Sequence, residues 1–242
     1  MLPGFQFYHW DDEGNDRLVR HFPAYYATYR NYDQVIKKVD AVRFFYLYHV
    51  GGIYMDTDMA CLRPFPPWLT NTTDVVLGVA AGQADFVPNA FMAAPRKHPF
   101  VAFLIQQLKY TSKHTRSVFA TAGPAFLSAA VKWWKANVGT GLTLLPFEVL
   151  YADSSAKDTC SISEARIEAD IRTCSESLPK SWVYSISAGT WCPGCPGSRN
   201  KSRAYLKSTG VHTSLVAHLS TLGAVPLTLP PVPVWALAST LR

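Results

Sequence analysis

The chain has 242 residues, with 23 Lys+Arg against 17 Asp+Glu for a formal net charge of +6; 48% of its residues are apolar and 17% charged. That composition excludes a disordered chain. At a prior of about 150 residues per domain, the length fits one large domain or one domain with an appendage. The basic excess is scattered, and its one close cluster, Arg199-Asn200-Lys201-Ser202-Arg203, has no interleaved aromatics. Nucleic acid is thereby excluded as the partner class, while anionic small molecules such as nucleotides or lipid head groups stay compatible.

In chain order, Met1-Leu2-Pro3-Gly4 has no basic flank and no apolar run before Asp11-Asp12-Glu13, so no signal peptide is expected there. Residues 5–10 predict a short strand running into an acidic turn at Asp11–Gly14, followed by a short helix from Asp16 that Pro23 interrupts. A longer helix is predicted with Asp33 as N-cap, because Val35, Ile36, Val39, Val42, Tyr46, Leu47 and Val50 recur at spacings of three and four; Gly51-Gly52 stops it. Ile53-Tyr54-Met55 predicts a buried strand delivering Asp56.

Strands are next predicted over 75–80, 90–94 and 142–145, and helices over 99–110 and 124–138, each opened by a proline. Strands alternating with helices predict an α/β class with a mostly parallel sheet flanked by helices. Residues 151–210 read as an irregular Cys/Ser-rich insertion of the domain formed by 1–150. The tail, 211–242, has no Asp, Glu, Lys or Arg before Arg242 and contains Pro226, Pro230, Pro231 and Pro233, which predicts a buried or membrane-touching segment and not a clean transmembrane helix. Five cysteines leave at least one unpaired within the chain; Cys160, Cys174, Cys192 and Cys195 are expected to serve as clips in an oxidising compartment, with free thiols as the alternative.

Asp56-Thr-Asp58 carries the chemistry. On a strand, positions i and i+2 share a face, so both carboxylates are expected together at the strand's carboxyl end, where open α/β sheets place ligands. Two hard oxygen donors suit Mg²⁺ or Mn²⁺, whose shell is completed by phosphates and water and which neutralises a diphosphate leaving group. The plain alternative is two acids capping a strand in water. Asp40 and Arg43, three apart on the predicted helix, form either an ordinary surface pair or a pair aimed at a polyhydroxylated ligand.

The run from Asp40-Ala-Val-Arg43 through Val50-Gly51-Gly52-Ile-Tyr54-Met-Asp56-Thr-Asp58 to Pro64 resembles the sugar-binding DxD signature of glycosyltransferases, and most closely glycosyltransferase family 32 with its inositol phosphorylceramide mannosyltransferases. Pro3-Gly4-Phe-Gln-Phe, Trp10-Asp11-Asp12, Asn89-Ala-Phe-Met-Ala-Ala, His98-Pro99-Phe100 and Ala122-Gly123-Pro124 follow in that family's order. The resemblance, over roughly residues 3–150, implies a GT-A, Rossmann-like fold that transfers a hexose, mannose first, from a nucleotide sugar to a glycolipid or glycan with retention. GDP-mannose is the favoured donor and Mn²⁺ or Mg²⁺ the cofactor. It further implies Asp58 as metal ligand, Asp56 at the ribose or sugar and the metal shell, and Asp40 and Arg43 on donor hydroxyls. Tyr54 would line the pocket, with Asn89 and Gly123 near the transferred sugar and His212 at the metal or phosphate. A Golgi or other endomembrane setting, lumenal and membrane-associated, goes with it.

Measured against that family, the fold is expected to lack its first strand, and Val211-His212-Thr-Ser-Leu offers the late histidine without the tryptophan that follows it there. An inactive sugar-nucleotide-binding remnant is therefore the alternative function. A haloacid-dehalogenase-like phosphotransferase fits poorly, since Ala60 stands where that pattern expects Thr or Val. His9, His49 and His98 read as cap or core-edge side chains, and Trp133-Trp134 as core packing. Asn71-Thr-Thr73 and Asn200-Lys-Ser202 are glycosylation sequons.

Overall fold

The computed structural model describes residues 5–152, 160–162, 166–185 and 214–218. Strand β1 (Gln6–Trp10) leads into α1 (Asp12–Arg20), and Asp11 is the N-cap of that helix and not part of a free turn: its Oδ1 accepts from the Gly14 N–H at 2.7 Å. Pro23 opens α2 (Pro23–Arg30) at a position where its missing N–H costs nothing. Helix α3 (Val35–His49) starts one residue later than predicted, with Gln34 and not Asp33 as its N-cap, and the Asp33 carboxylate pairs with Lys37 at 2.9 Å.

Strand β2 (Gly52–Met55) follows a turn that demands glycine. Gly51 has φ +77°, and a Cβ there would lie 2.7 Å from the Arg96 nitrogen. After β3 (Met59–Cys61) come a 3₁₀ turn (Pro67–Thr70), β4 (Val75–Gly78), β5 (Phe91–Ala94), α4 (Pro99–His114), α5 (Val118–Thr121), α6 (Pro124–Asn137), β6 (Leu142–Leu145), α7 (Phe147–Leu150), α8 (Ile167–Ser177), β7 (Val183–Ser185) and β8 (Ser214–His218).

Six strands form one sheet in the order β1-β8-β2-β5-β4-β6, and β3 pairs with β7 in a second. The α/β class holds, but the sheet is mixed and not mostly parallel: β1–β8, β8–β2, β2–β5 and β5–β4 are antiparallel, and β4–β6 alone among the described pairs is parallel. The physical reason lies in the connections. Residues 79–90 return β4 to β5 without a helix, which allows antiparallel pairing, whereas α4 to α6 supply the helical crossover that a parallel β4–β6 pair needs.

One sheet face, through Tyr54, Val75, Leu77, Met92 and Ala94, packs against α1, α2, α3, α4 and α6. The other, through Ile53, Met55, Val76, Phe91 and Ala93, packs against Phe65, Leu69, Leu150, Tyr151 and Val183. Between sheet and helices, α3 is buried over every residue from Asp40 to Tyr48.

The stretch read as irregular holds α8 and β7, so that reading is corrected for residues 167–185. Two devices bind them to the core. Arg63 donates to the carbonyls of Ser175, Leu178, Pro179 and Ser181 at 2.6 to 2.8 Å, closing the C-terminal end of α8. A disulfide joins Cys160 to Cys174. Cys61 is a free thiol that burial pushes up to about 11; Cys192 and Cys195 lie outside the described residues. Of the tail, Ser214–His218 is an inner strand of the sheet, and the rest of 211–242 lies outside the described residues. No helix among the described residues is long and apolar enough to cross a membrane.

His98 is the N-cap of α4, its Nδ1 accepting from the Phe100 N–H at 3.1 Å. Trp134 is buried against Phe100 and Phe103, and Trp133 stacks on Phe103 with centroids 4.8 Å apart, as core packing requires.

Candidate donor-sugar site

Tyr54, alternating with its neighbours along β2, turns toward α3, and Asp56 follows two residues later just past the strand end. The i, i+2 relation therefore joins Tyr54 to Asp56: the Tyr54 hydroxyl donates to Asp56 Oδ1 at 2.6 Å. It does not join Asp56 to Asp58. Thr57 and Asp58 lie in a turn closed by the Met59 N–H on the Asp56 carbonyl at 3.1 Å, which corrects the expectation of a shared strand face. Asp58 is half-buried on that turn.

From α3, Arg43 reaches the same point. Its Nη2 lies 2.7 Å from Asp40 Oδ1 and its Nη1 3.2 Å from Asp56 Oδ1, while Nη1 also donates to the Asn89 carbonyl at 2.6 Å. The guanidinium carbon stands 4.6 Å from the centre of the Tyr54 ring. Asn89, just ahead of β5, donates from Nδ2 to Asp40 Oδ1 at 3.0 Å, and the Asp56 N–H donates to the Ala90 carbonyl at 2.8 Å. Asp40 and Arg43 are 5% and 2% exposed. The pair is therefore interior and not the ordinary surface bridge, and its charges are turned on each other and on Asn89.

Burial pushes the Asp40 carboxyl above the ordinary aspartate range and the Asp56 charge adds to that, against the pull of Arg43 and Asn89. Burial alone would depress the Arg43 guanidinium, but Tyr54, Asp56 and Asp40 outweigh it and hold it above the ordinary arginine value. Gly123, the N-cap of α6, packs on the far side of Asp40; a Cβ there would lie 3.1 Å from Asp40 Oδ2 and 3.0 Å from the Phe119 Cα.

Five of the expected residues, Asp40, Arg43, Tyr54, Asp56 and Asn89, thus form one hydrogen-bonded cluster, with Gly123 against its inner side and Asp58 on the adjoining turn. Tyr54 is 1% exposed and supports Asp56 from below instead of lining an open pocket. His212 lies outside the described residues. Among the described residues no three His, Cys, Asp or Glu side chains gather as a metal site. The donor set still suits a hard cation: Asp56 is about a third exposed, and both of its contacts described above fall on Oδ1. Sequence reasoning missed Tyr151, whose hydroxyl accepts from the Phe91 N–H at 3.2 Å and lies 3.4 Å from the Pro88 carbonyl. No motif marks it.

Residues 2–74 match the family described as "Glycosyltransferase sugar-binding region containing DXD motif". The chain is 35% identical over 131 residues to inositol phosphoceramide mannosyltransferase 1 of Schizosaccharomyces pombe, covering 52% of this chain and 40% of that protein. It is 31% identical over 140 residues to mannosyl phosphorylinositol ceramide synthase CSH1 of Saccharomyces cerevisiae, covering 56% and 36%. To lactosylceramide 4-alpha-galactosyltransferase of Mus musculus it is 34% identical over 120 residues, covering 46% and 31%. The chain thus spans less than half the length of these relatives. Among solved structures, PaToxG glycosyltransferase aligns with a TM-score of 0.36 at 18% identity over 53% of each chain.

Proposed function

We propose that this chain, residues 2–74 of which match the family of glycosyltransferase sugar-binding regions containing a DXD motif, carries the donor site of a metal-dependent glycosyltransferase. It would move a hexose, with mannose favoured, from a nucleotide sugar to a ceramide-based glycolipid. One observation carries the reading. Asp40 and Arg43 on α3, Tyr54 and Asp56 at the end of β2, and Asn89 ahead of β5 come from three separate segments and meet in one hydrogen-bonded cluster beside Asp58.

Within it, Arg43 and Tyr54 hold Asp56 Oδ1, which fixes the carboxylate while leaving it in part open to solvent. Asp56 and Asp58 would hold Mn²⁺ or Mg²⁺, and such an ion supplies charge neutralisation to a diphosphate leaving group. The donor GDP-mannose and the glycolipid acceptor are favoured because relatives bear mannosyltransferase names and because both yeast relatives and the mouse relative are named for ceramides. Of the setting expected from the resemblance, the lumenal, oxidising part is supported by the Cys160–Cys174 disulfide and by exposed Asn71 in its sequon.

Incubation of the purified chain with Mn²⁺ and GDP-mannose, UDP-galactose or UDP-glucose in turn, following free nucleoside diphosphate, tests the proposal. Release from GDP-mannose, abolished by Asp58→Asn with an unchanged circular dichroism spectrum, is the expected result. Absence of release from all three by the folded chain overturns catalysis and favours a sugar-nucleotide-binding remnant.

A further inference from the structure

Resting on that donor-site reading, we propose that Tyr151 is a positioning residue of the site, fixing Asn89 and Asp56 through the backbone of residues 88–91. Tyr151 stands immediately after α7, 7% exposed, its N–H on the Phe147 carbonyl at 2.7 Å. Its hydroxyl accepts from the Phe91 N–H at 3.2 Å and donates toward the Pro88 carbonyl at 3.4 Å, so it spans Asn89 and Ala90 from one side. From the other side those two residues are taken by the site itself. The Asn89 carbonyl accepts from Arg43, the Asn89 amide donates to Asp40, and the Ala90 carbonyl accepts from the Asp56 N–H. Four consecutive residues are thereby clamped between one phenol and the acid-guanidinium cluster.

Only a group that both donates and accepts can bridge a carbonyl and an N–H, and a hydroxyl does so. Buried backbone groups left without partners are costly, so removing the oxygen loosens the segment instead of leaving it in place. A second feature is dedicated to the same ring. Gly78 ends β4 beneath it, and a Cβ there would lie 2.9 Å from Tyr151 Cε2 and 2.9 Å from Leu150 Cδ1. The absence of a side chain at residue 78 gives the ring its berth.

Two variants of the whole chain test this, Tyr151→Phe, which removes the bridge, and Gly78→Ala, which displaces the ring and keeps its oxygen. Amide hydrogen exchange, needing no activity, should be faster at Phe91 and Asp56 in Tyr151→Phe. With GDP-mannose and Mn²⁺, kcat should fall roughly tenfold in both variants with KM within about twofold, since small misplacements of reacting groups act on the barrier. A purely structural role would lower the melting temperature and leave kcat per folded molecule intact. Unchanged exchange at Phe91 and Asp56, or unchanged kcat in Tyr151→Phe beside an active wild type, overturns the proposal. A wild-type chain that releases no nucleoside diphosphate fails the donor-site reading, and the clamp then stands or falls on the exchange result.

Discussion

Asp56 meets Arg43 at 3.2 Å just past the end of β2, a carboxylate about a third exposed against a guanidinium whose side chain is 3% exposed. The same guanidinium is already 2.7 Å from Asp40. One guanidinium thus joins an interior carboxylate to one at the edge of the site.

Removing the interior cation should be costly. Arg43→Met leaves Asp40 as an unpaired buried carboxylate, for which a loss of about 3–5 kcal/mol is expected by urea denaturation. Arg43→Lys keeps charge but cannot fork between Asp40, Asp56 and the Asn89 carbonyl, so it should fold and still lose donor hydrolysis. A loss under about 1 kcal/mol for the Met variant would contradict the interior pairing.

Gly123→Ala places a methyl 3.1 Å from Asp40 Oδ2 and 3.0 Å from the Phe119 backbone. Neither neighbour is a flexible tip, so overpacking should cost roughly 1–3 kcal/mol by thermal denaturation. Donor hydrolysis should fall in parallel because Asp40 holds Asn89. Wild-type stability in this variant would show that α6 has room to withdraw.

Acid should weaken the fold through His98. Its ring accepts the Phe100 N–H, which only the unprotonated nitrogen can do, and burial depresses its protonation below the ordinary value of about 6.5. His49 is depressed likewise by burial and by Arg96, His21 and Lys97. The folded state therefore binds these protons less readily than the unfolded one, and their stabilisation, full above about pH 6.5, is lost as pH falls through the folded-state values. Urea midpoints measured from pH 7.5 down to about pH 5 should decline, less steeply in His98→Asn, which retains a capping side chain. Equal slopes would remove His98 from the account.

The Cys160–Cys174 disulfide closes a separation of 14 residues. Chain entropy assigns such a loop about 3 kcal/mol, so a reductant or Cys174→Ser should lower the midpoint by a corresponding amount and free the segment around Tyr184, whose hydroxyl donates to the Cys160 carbonyl. Limited proteolysis with and without reductant reads this directly; identical cleavage patterns would show the crosslink to be dispensable.

What the sequence disclosed follows from how local each signal is. The helix ending at Gly51-Gly52, the proline-opened helices α4 and α6, and β6 rest on spacing and caps within a few residues, and all are found. Asp40 and Arg43 resemble a surface pair in sequence because i, i+3 charges on a helix usually are one; what surrounds them, Tyr54 and Asp56 from β2, Asn89 ahead of β5 and Gly123 at the start of α6, comes from distant segments. Asp56-Thr-Asp58 stands out as a motif but not as a shape, because strand alternation does not foretell the turn, closed by the Met59 N–H on the Asp56 carbonyl, that separates the two acids. Tyr151 left no trace at all. Its role depends on Gly78 and on residues 88–91, and a tyrosine after an apolar run looks like any other core residue.

Strand β8 stands between β1 and β2, so the two earliest strands of the main sheet share no hydrogen bond with each other. During synthesis, residues of the first sixty must wait for residue 214 before their facing edges are paired. Until then a nascent chain carries an open slot with two exposed strand edges, the kind of surface on which foreign strands dock and aggregation begins. Expression, and the need for chaperones, should thus be governed by delivery of five residues near the far end of the chain, and a peptide spanning 214–218 supplied in trans to a shorter chain would be a direct competitor for that slot.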